Sequence, residues 1–80
     1  MFFVYALRSL ARNYIYVGLT NDIDRRFMEH QSGVSRTTKP YRPFELIYQE
    51  EFHDRPSARA REKFLKSGAG KEFLKSKMNW

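Results

Sequence analysis

Arg26, His30 and Glu62 are the side chains of this 80-residue chain whose types and spacing suit chemistry on a phosphodiester. Arg26 and His30 lie four residues apart, so a helix there stacks them on one face. On a wheel of about 100° per residue, Ile23 and Phe27 define the core-facing stripe of that helix, and Arg26 and His30 fall on its edge. Glu62 lies between Ala58 and Leu65 on the apolar stripe of a second helix. A carboxylate there is partly desolvated, which is costly alone, so a metal ion, an Arg or a Lys must answer for it. In such a set Arg26 could neutralise charge on the equatorial phosphate oxygens. Glu62 could hold one Mg²⁺ or Mn²⁺, with water and phosphate oxygens completing the coordination. A tyrosine or His30 could take the proton of the attacking water. The tyrosine route needs nearby cations, because a free phenol titrates near ~10. Two plainer readings stand beside these: His30 as a satisfied structural histidine, and Glu62 paired with Lys66 one turn on.

The elements that must carry these residues follow from local pattern. Phe2 to Ser9 and Tyr14 to Leu19 are rich in β-branched and aromatic residues and flank Leu10-Ala11-Arg12-Asn13, which predicts a hairpin. In its second arm Tyr14, Tyr16 and Gly18 share one face, and Ile15, Val17 and Leu19 the other. A helix follows, with Thr20 or Asn21 as N-cap, Asp22 and Asp24 at its positive end, and Gly33 as its stop. Residues 34–43 form a loop with hydroxyls and cations but no acid. Phe44 to Phe52 is a third strand. Asp54 and Pro56 open a second helix that runs to about Ser67. Gly68-Ala69-Gly70 is expected to break it before a short helix from Lys71 to about Lys77. The expected fold is α/β (α+β): a small three-stranded, mainly antiparallel sheet flanked by helices, in the order β-β-α-β-α-α.

Eighty residues suffice for one domain. Such a chain buries only about 60–65% of its unfolded surface, and seven Phe, five Tyr and one Trp supply the bulk its core needs. With no cysteine, no disulfide or thiolate staple is available, which fits a reducing cytoplasm. The apolar run Phe2 to Leu7 ends at Arg8, too short for a membrane span and without a basic leader. The net charge is +6, and residues 55–80 carry eight basic side chains against two acidic ones, the entire excess. Such a region attracts a polyanion over roughly ~8–10 Å, or is simply a solvated helix face.

Tyr5, then Tyr16-Val17-Gly18, then Arg26, His30 and Glu62, resemble the ordered pattern of the GIY-YIG nuclease superfamily. The steps of eleven residues from Tyr5 to Tyr16 and ten from Tyr16 to Arg26 match it. The resemblance covers about residues 2–76. In detail the chain is similar to small single-domain bacterial members, through Tyr16-Val17-Gly18-Leu19-Thr20, Lys39-Pro40-Tyr41-Arg42-Pro43 and Arg61-Glu62-Lys63-Phe64-Leu65-Lys66-Ser67-Gly68. It departs from the family name at Phe3-Val4-Tyr5, where Phe3 replaces a glycine. The resemblance implies a single GIY-YIG domain over residues 1–80 and a metal-dependent endonuclease-type activity on DNA, with RNA as the alternative substrate. It implies Tyr5 as general base or water-positioning phenol, Tyr16 as its hydrogen-bonding neighbour and Arg26 as the transition-state cation. His30 would be a supporting donor or proton relay, and Glu62 the ligand of one Mg²⁺ or Mn²⁺. Larger members carry separate DNA-binding domains and none is expected here, so recognition should follow the shape of branched, nicked or single-stranded DNA. Repair or recombination would supply such substrates. The rival implication is the same fold kept as a nucleic-acid or protein interaction module with little turnover, or one targeted by a partner protein.

Phosphate contacts are expected from Arg36, Lys39 and Arg42 in the acid-free loop, together with Ser35, Thr37 and Thr38. Arg59, Lys63, Lys66 and Lys71 on the C-terminal helices would hold the substrate backbone. Gly18 would let a phosphate or the neighbouring helix approach closely. Ser67-Gly68-Ala69-Gly70-Lys71 is not a phosphate loop, because Leu65 and Glu72 stand where Gly and Ser or Thr are required. His30 and His53 are too few and too far apart for zinc. Trp80 could stack on a base or cap the core, and Asn79 is given no role.

Overall fold

The computed structural model describes residues 1–78, so Asn79 and Trp80 lie outside the described residues. Strand β1 (Phe2–Ser9) is the centre of an antiparallel sheet, between β2 (Ile15–Thr20) and β3 (Phe44–Phe52). Helix α1 (Ile23–Ser32) follows β2, and a 3₁₀ turn at Lys39–Tyr41 lies in the loop before β3. Helices α2 (Arg55–Lys66) and α3 (Gly68–Ser76) follow β3. The architecture is the expected α+β order β-β-α-β-α-α.

Alternation along β1 divides the interior in two. Val4 and Ala6 join Ile15, Val17, Ala58, Leu65 and Leu74 in an apolar cluster that seats α2 and α3. Tyr5 and Leu7 join Phe44 in a second cluster, which Tyr16, Ile23, Phe27 and Leu46 cover from the α1 side. Fully burying one of these leucines stabilises the fold by about 1.5–3 kcal/mol. Ala6 pairs with Tyr48 but Leu7 with Leu46, so Ile47 is an extra residue and forms a bulge. The bulge puts both Ile47 and Tyr48 against the α2/α3 cluster while Leu46 serves the other.

Two helix ends differ from expectation. Asp22, rather than Thr20 or Asn21, caps α1, accepting from the Arg25 amide at 3.1 Å. Thr20 is spent on the approach, its hydroxyl accepting from the Asp22 amide at 3.1 Å. Gly68-Ala69-Gly70 does not break the chain but forms the first turn of α3. The break is at Ser67, whose extended backbone and hydroxyl cap that helix through the Gly70 amide. Gly70 is needed for packing, since a Cβ there would sit 2.0 Å from the Phe64 carbonyl oxygen. Gly33 ends α1 at φ 81°, a conformation that glycine adopts without a Cβ penalty.

Candidate active site

Helix α1 brings its polar residues to the sheet in an order the wheel did not anticipate. Ile23 and Phe27 are only half-buried, whereas His30 is 0% exposed and is the buried residue of the helix. The last turn of α1 lies over Tyr5 and Phe44, which is why a residue placed at the stripe's edge becomes its most enclosed point. Gln31 ties this turn to β3 by accepting from the Phe44 amide at 2.6 Å and donating to its carbonyl at 3.2 Å.

Tyr5, Tyr16 and His30 form one aromatic group, with ring centroids 4.8 Å apart for Tyr16 and His30 and 6.1 Å apart for the two tyrosines. The Tyr5 hydroxyl is hydrogen-bonded to His30 Nε2 at 3.0 Å, and His30 Nδ1 to the Thr38 hydroxyl at 2.9 Å. Thr38 is itself 0% exposed, so it is a histidine partner and not the phosphate contact expected from its loop. Burial, then the charge of Arg26, holds the His30 pKa below its usual value, which keeps the imidazole neutral at pH 7. Burial and the neighbouring Tyr16 push the Tyr5 phenol well above its usual range, and Arg26 only partly offsets them. The expected lowering of this phenol by cations is therefore reversed, because desolvation outweighs the one guanidinium nearby.

Gly18 serves Tyr5 rather than a phosphate or a helix. It is the cross-strand partner of Tyr5, and a Cβ there would lie 2.5 Å from the phenol oxygen. The missing side chain is the space the ring end occupies.

A cleft of about 460 Å³ runs along the free edge strand β2, with α1 on one side and α2 on the other. Tyr16, Gly18, Arg26 and Glu62 line it, as do Arg25, Glu29, Arg55 and Arg59. Arg26 Nη1 pairs with Glu29 Oε1 at 2.8 Å, and Glu29 holds the guanidinium pKa above its usual value. Glu62, 6% exposed, is answered by two cations: Arg59 at 2.9 Å on Oε1 and Lys66 at 3.1 Å on Oε2. The sequence required an ion or a cation at Glu62, and Ala58 and Leu65 are buried beside it as the stripe implied.

The structure thus brings Tyr5, Tyr16 and His30 into one group, and Tyr16, Arg26 and Glu62 onto one cleft. Arg36, Lys39 and Arg42 are exposed on the loop, and Lys63 is exposed on α2. Lys71 donates to the Ile15 carbonyl at 3.0 Å, and burial lowers its pKa, so it covers β2 rather than standing free. Arg25 and Arg55, missed from the sequence, line the cleft from opposite helices and have no carboxylate partner among the described residues. Spacing gave a signal for Arg55, since it shares a face with Arg59 and Glu62 at steps of four and three. Glu29 was legible in the same way, three residues after Arg26.

Compared with known proteins, the chain matches the GIY-YIG catalytic domain over residues 1–78. A UPF0213 protein of Vibrio campbellii is 39% identical over 64 residues, covering 79% of this chain and 61% of that protein. One of Staphylococcus saprophyticus is 36% identical over 62 residues, 76% of each. The solution NMR structure of a UPF0213 protein from Bacillus halodurans aligns with a TM-score of 0.57 and 34% identity, over 95% of this chain and 84% of that one. The matched segment spans 61% and 59% of the length of the relatives from Vibrio campbellii and Vibrio parahaemolyticus. Among the described residues no helix is long and apolar enough to cross a membrane.

Proposed function

This chain belongs to the GIY-YIG catalytic domain family, a nuclease superfamily, and on that premise we propose that residues 1–80 act as a single domain hydrolysing phosphodiester bonds in DNA. The observation that carries the reading is the cleft itself, where Tyr16, Arg26 and a nearly buried Glu62 share one wall system along an open sheet edge. Four arginines against two glutamates leave this cleft positive, which favours a nucleic-acid backbone. Arg25 and Arg55, without a carboxylate partner among the described residues, flank it and would take the phosphates on either side of the one attacked. Arg26, held in place by Glu29, would neutralise the charge that develops on the equatorial oxygens.

Glu62 fits a single divalent cation. It would be the single protein carboxylate of such a site, with water and phosphate oxygens completing the shell of Mg²⁺. Its two oxygens are met by Arg59 and Lys66, cations that stand where a divalent charge would be needed. When bound, Mg²⁺ or Mn²⁺ would supply Lewis-acid stabilisation to a phosphate oxygen. Tyr5 is too buried and too weakly acidic to be a free base, so its part is to orient the water and Tyr16 from behind. Tyr16, the phenol that lines the cleft, is the one placed to meet the attacking water. The substrate would be selected by shape rather than by a long sequence: a nick, a flap or a junction.

The two ion pairs on Glu62 equally suit a binding module that never loads a metal, and the test separates the two. Linear, nicked, flapped and four-way-junction DNA are incubated with wild type, Arg26→Ala and Glu62→Ala in Mg²⁺ or Mn²⁺. The enzyme reading expects product from wild type alone, with binding retained by Glu62→Ala. Salt-sensitive binding with no product from any variant would replace it with the binding module, and equal product from all three would mark a contaminant.

A further inference from the structure

The chain Tyr5–His30–Thr38 is buried along its whole length, and counting its protons decides its direction. Tyr5 is 1% exposed, and His30 and Thr38 are each 0% exposed. Tyr5 contributes one hydroxyl proton, Thr38 another, and a neutral imidazole one ring proton, for only two contacts. One proton must therefore point elsewhere. If Nδ1 carries the ring proton, Tyr5 donates to Nε2, Nδ1 donates to Thr38, and the surplus is the Thr38 hydroxyl proton. Thr38 makes no other side-chain hydrogen bond among the described residues, so that proton would be left without an acceptor in the interior. If Nε2 carries it, Thr38 donates to Nδ1, Nε2 donates to the Tyr5 oxygen, and the surplus is the Tyr5 proton. The Tyr5 oxygen lies against Gly18, and the Tyr16 side chain beside it, which lines the cleft, is the acceptor that surplus proton can turn to. Only the second arrangement gives the surplus proton a neighbouring acceptor, on the cleft side.

We propose that Thr38 is a positioning residue that holds His30 as the Nε2–H tautomer, so that the imidazole donates to the Tyr5 oxygen and leaves the Tyr5 proton for Tyr16 on the cleft side. The groups around the imidazole agree with a single ring proton. Arg26 on α1 opposes a second one, Glu29 on α1 favours it only weakly, and the rings of Tyr16 on β2 and Phe44 on β3 enclose it. The arrangement also has a chemical use, which rests on the nuclease reading above. A donor fixed on the Tyr5 oxygen leaves the Tyr5 hydroxyl free to donate toward Tyr16, the phenol placed to meet the attacking water. Thr38 belongs to the loop that carries Arg36, Lys39 and Arg42, so the same hydroxyl anchors the basic loop to the buried tyrosine.

The tautomer is read directly by long-range ¹H–¹⁵N correlation on protein labelled at histidine, near neutral pH, with exposed His53 as the internal reference. Wild type should show His30 with a protonated Nε2 and a bare Nδ1. Tyr5→Phe should keep that pattern, because removing the acceptor still leaves fewer unpaired groups than turning the ring proton over. Thr38→Val leaves one unpaired buried group in either tautomer, so its signals should move toward an average, and Thr38→Ser should restore them. A wild-type spectrum with protonated Nδ1 overturns the proposal, as does a Tyr5→Phe spectrum in which the tautomer switches. Both spectra are informative even if Thr38→Val does not fold. Absence of cleavage by wild type would sink the nuclease reading and leave the tautomer result standing. If cleavage is found, Thr38→Val should lower kcat and Thr38→Ser should return it.

Discussion

Replacing Gly18 by alanine tests whether the fold and the site are built from the same contact. The added Cβ would stand 2.5 Å from the Tyr5 oxygen, 2.7 Å from Cζ and 2.9 Å from Cε1. The atoms it meets are the end of a side chain, which ordinarily could swing away. Here it cannot do so freely, because Tyr5 is 1% exposed and bonded to His30. Overpacking of this kind costs about 1–3 kcal/mol. Alanine in a strand regains about 0.5–1 kcal/mol of the backbone entropy that glycine loses on folding. The net loss therefore lies between about 0 and about 2.5 kcal/mol, or up to very roughly 20 °C in melting temperature at about 4–8 °C per kcal/mol for a domain of this size. Thermal unfolding followed by circular dichroism measures the loss. The His30 ring resonances should shift with it, because the phenol must leave its place beside Nε2. A variant that melts with wild type and keeps the wild-type His30 spectrum would refute the assignment of Gly18 to the Tyr5 ring.

The other glycines should behave differently. Gly70→Ala drives a Cβ to within 2.0 Å of backbone that cannot rotate away, so its cost should reach or exceed the top of the about 1–3 kcal/mol range, while Gly68→Ala meets nothing within 4 Å and should stabilise by up to about 1 kcal/mol; melting temperatures should rank in that order. Stability should also fall on mild acidification. The folded pKa of His30 is below the ordinary imidazole value of about 6.5, so below about that pH the unfolded chain binds the extra proton and is favoured. The contribution is complete above the unfolded pKa and is lost as pH falls toward the folded one, at no more than about 1.4 kcal/mol per pH unit. Urea unfolding between pH 7.5 and 5 checks it, and a His30→Gln variant should lose much of that slope. Arg25→Ala and Arg55→Ala should each weaken DNA binding on every sequence and reduce the salt slope by about 1, as fluorescence anisotropy at several salt concentrations would show.

How much could be read beforehand depends on the range of the interaction concerned. β1 and β3 were legible to the residue, because alternation and β-branched content are local. The cap at Asp54 was legible for the same reason, and its carboxylate accepts from the Ser57 amide at 2.8 Å. Gly68-Ala69-Gly70 was not. Glycine normally punctuates a chain, yet here a tertiary contact, Gly70 against Phe64 and Leu65 of the preceding helix, keeps two glycines inside a first turn. Glu62 could be picked out as a buried carboxylate from one helix alone, but that Arg59 as well as Lys66 would answer it depends on side-chain reach. His30 shows the limit most clearly. The wheel put it at an edge, and only the strand order, with Tyr5 beneath and Thr38 folding back from a loop, makes it the buried centre. Nothing in the spacing of eight residues from His30 to Thr38 announces a hydrogen bond.

The division of the interior explains why a chain this small can hold so many polar groups in place. The face of β1 that carries Val4 and Ala6 meets α2 and α3 through aliphatic side chains, and Leu65 and Leu74 are wholly buried there. The opposite face carries Tyr5, and through it the bonds to His30 and Thr38. A buried polar chain stabilises less than an apolar core of equal volume when any member is left unpaired. The dry face supplies the cohesion that the polar face gives up, and β1 belongs to both. That placement also fixes where the cleft must be. β1 is covered on both faces and paired on both edges, so groups it orients can reach solvent only past a neighbouring strand. Tyr5 comes nearest to the cleft at Gly18, where the missing side chain makes room for its ring end, with Arg26 arriving from α1 and Glu62 from α2 on either side of the opening.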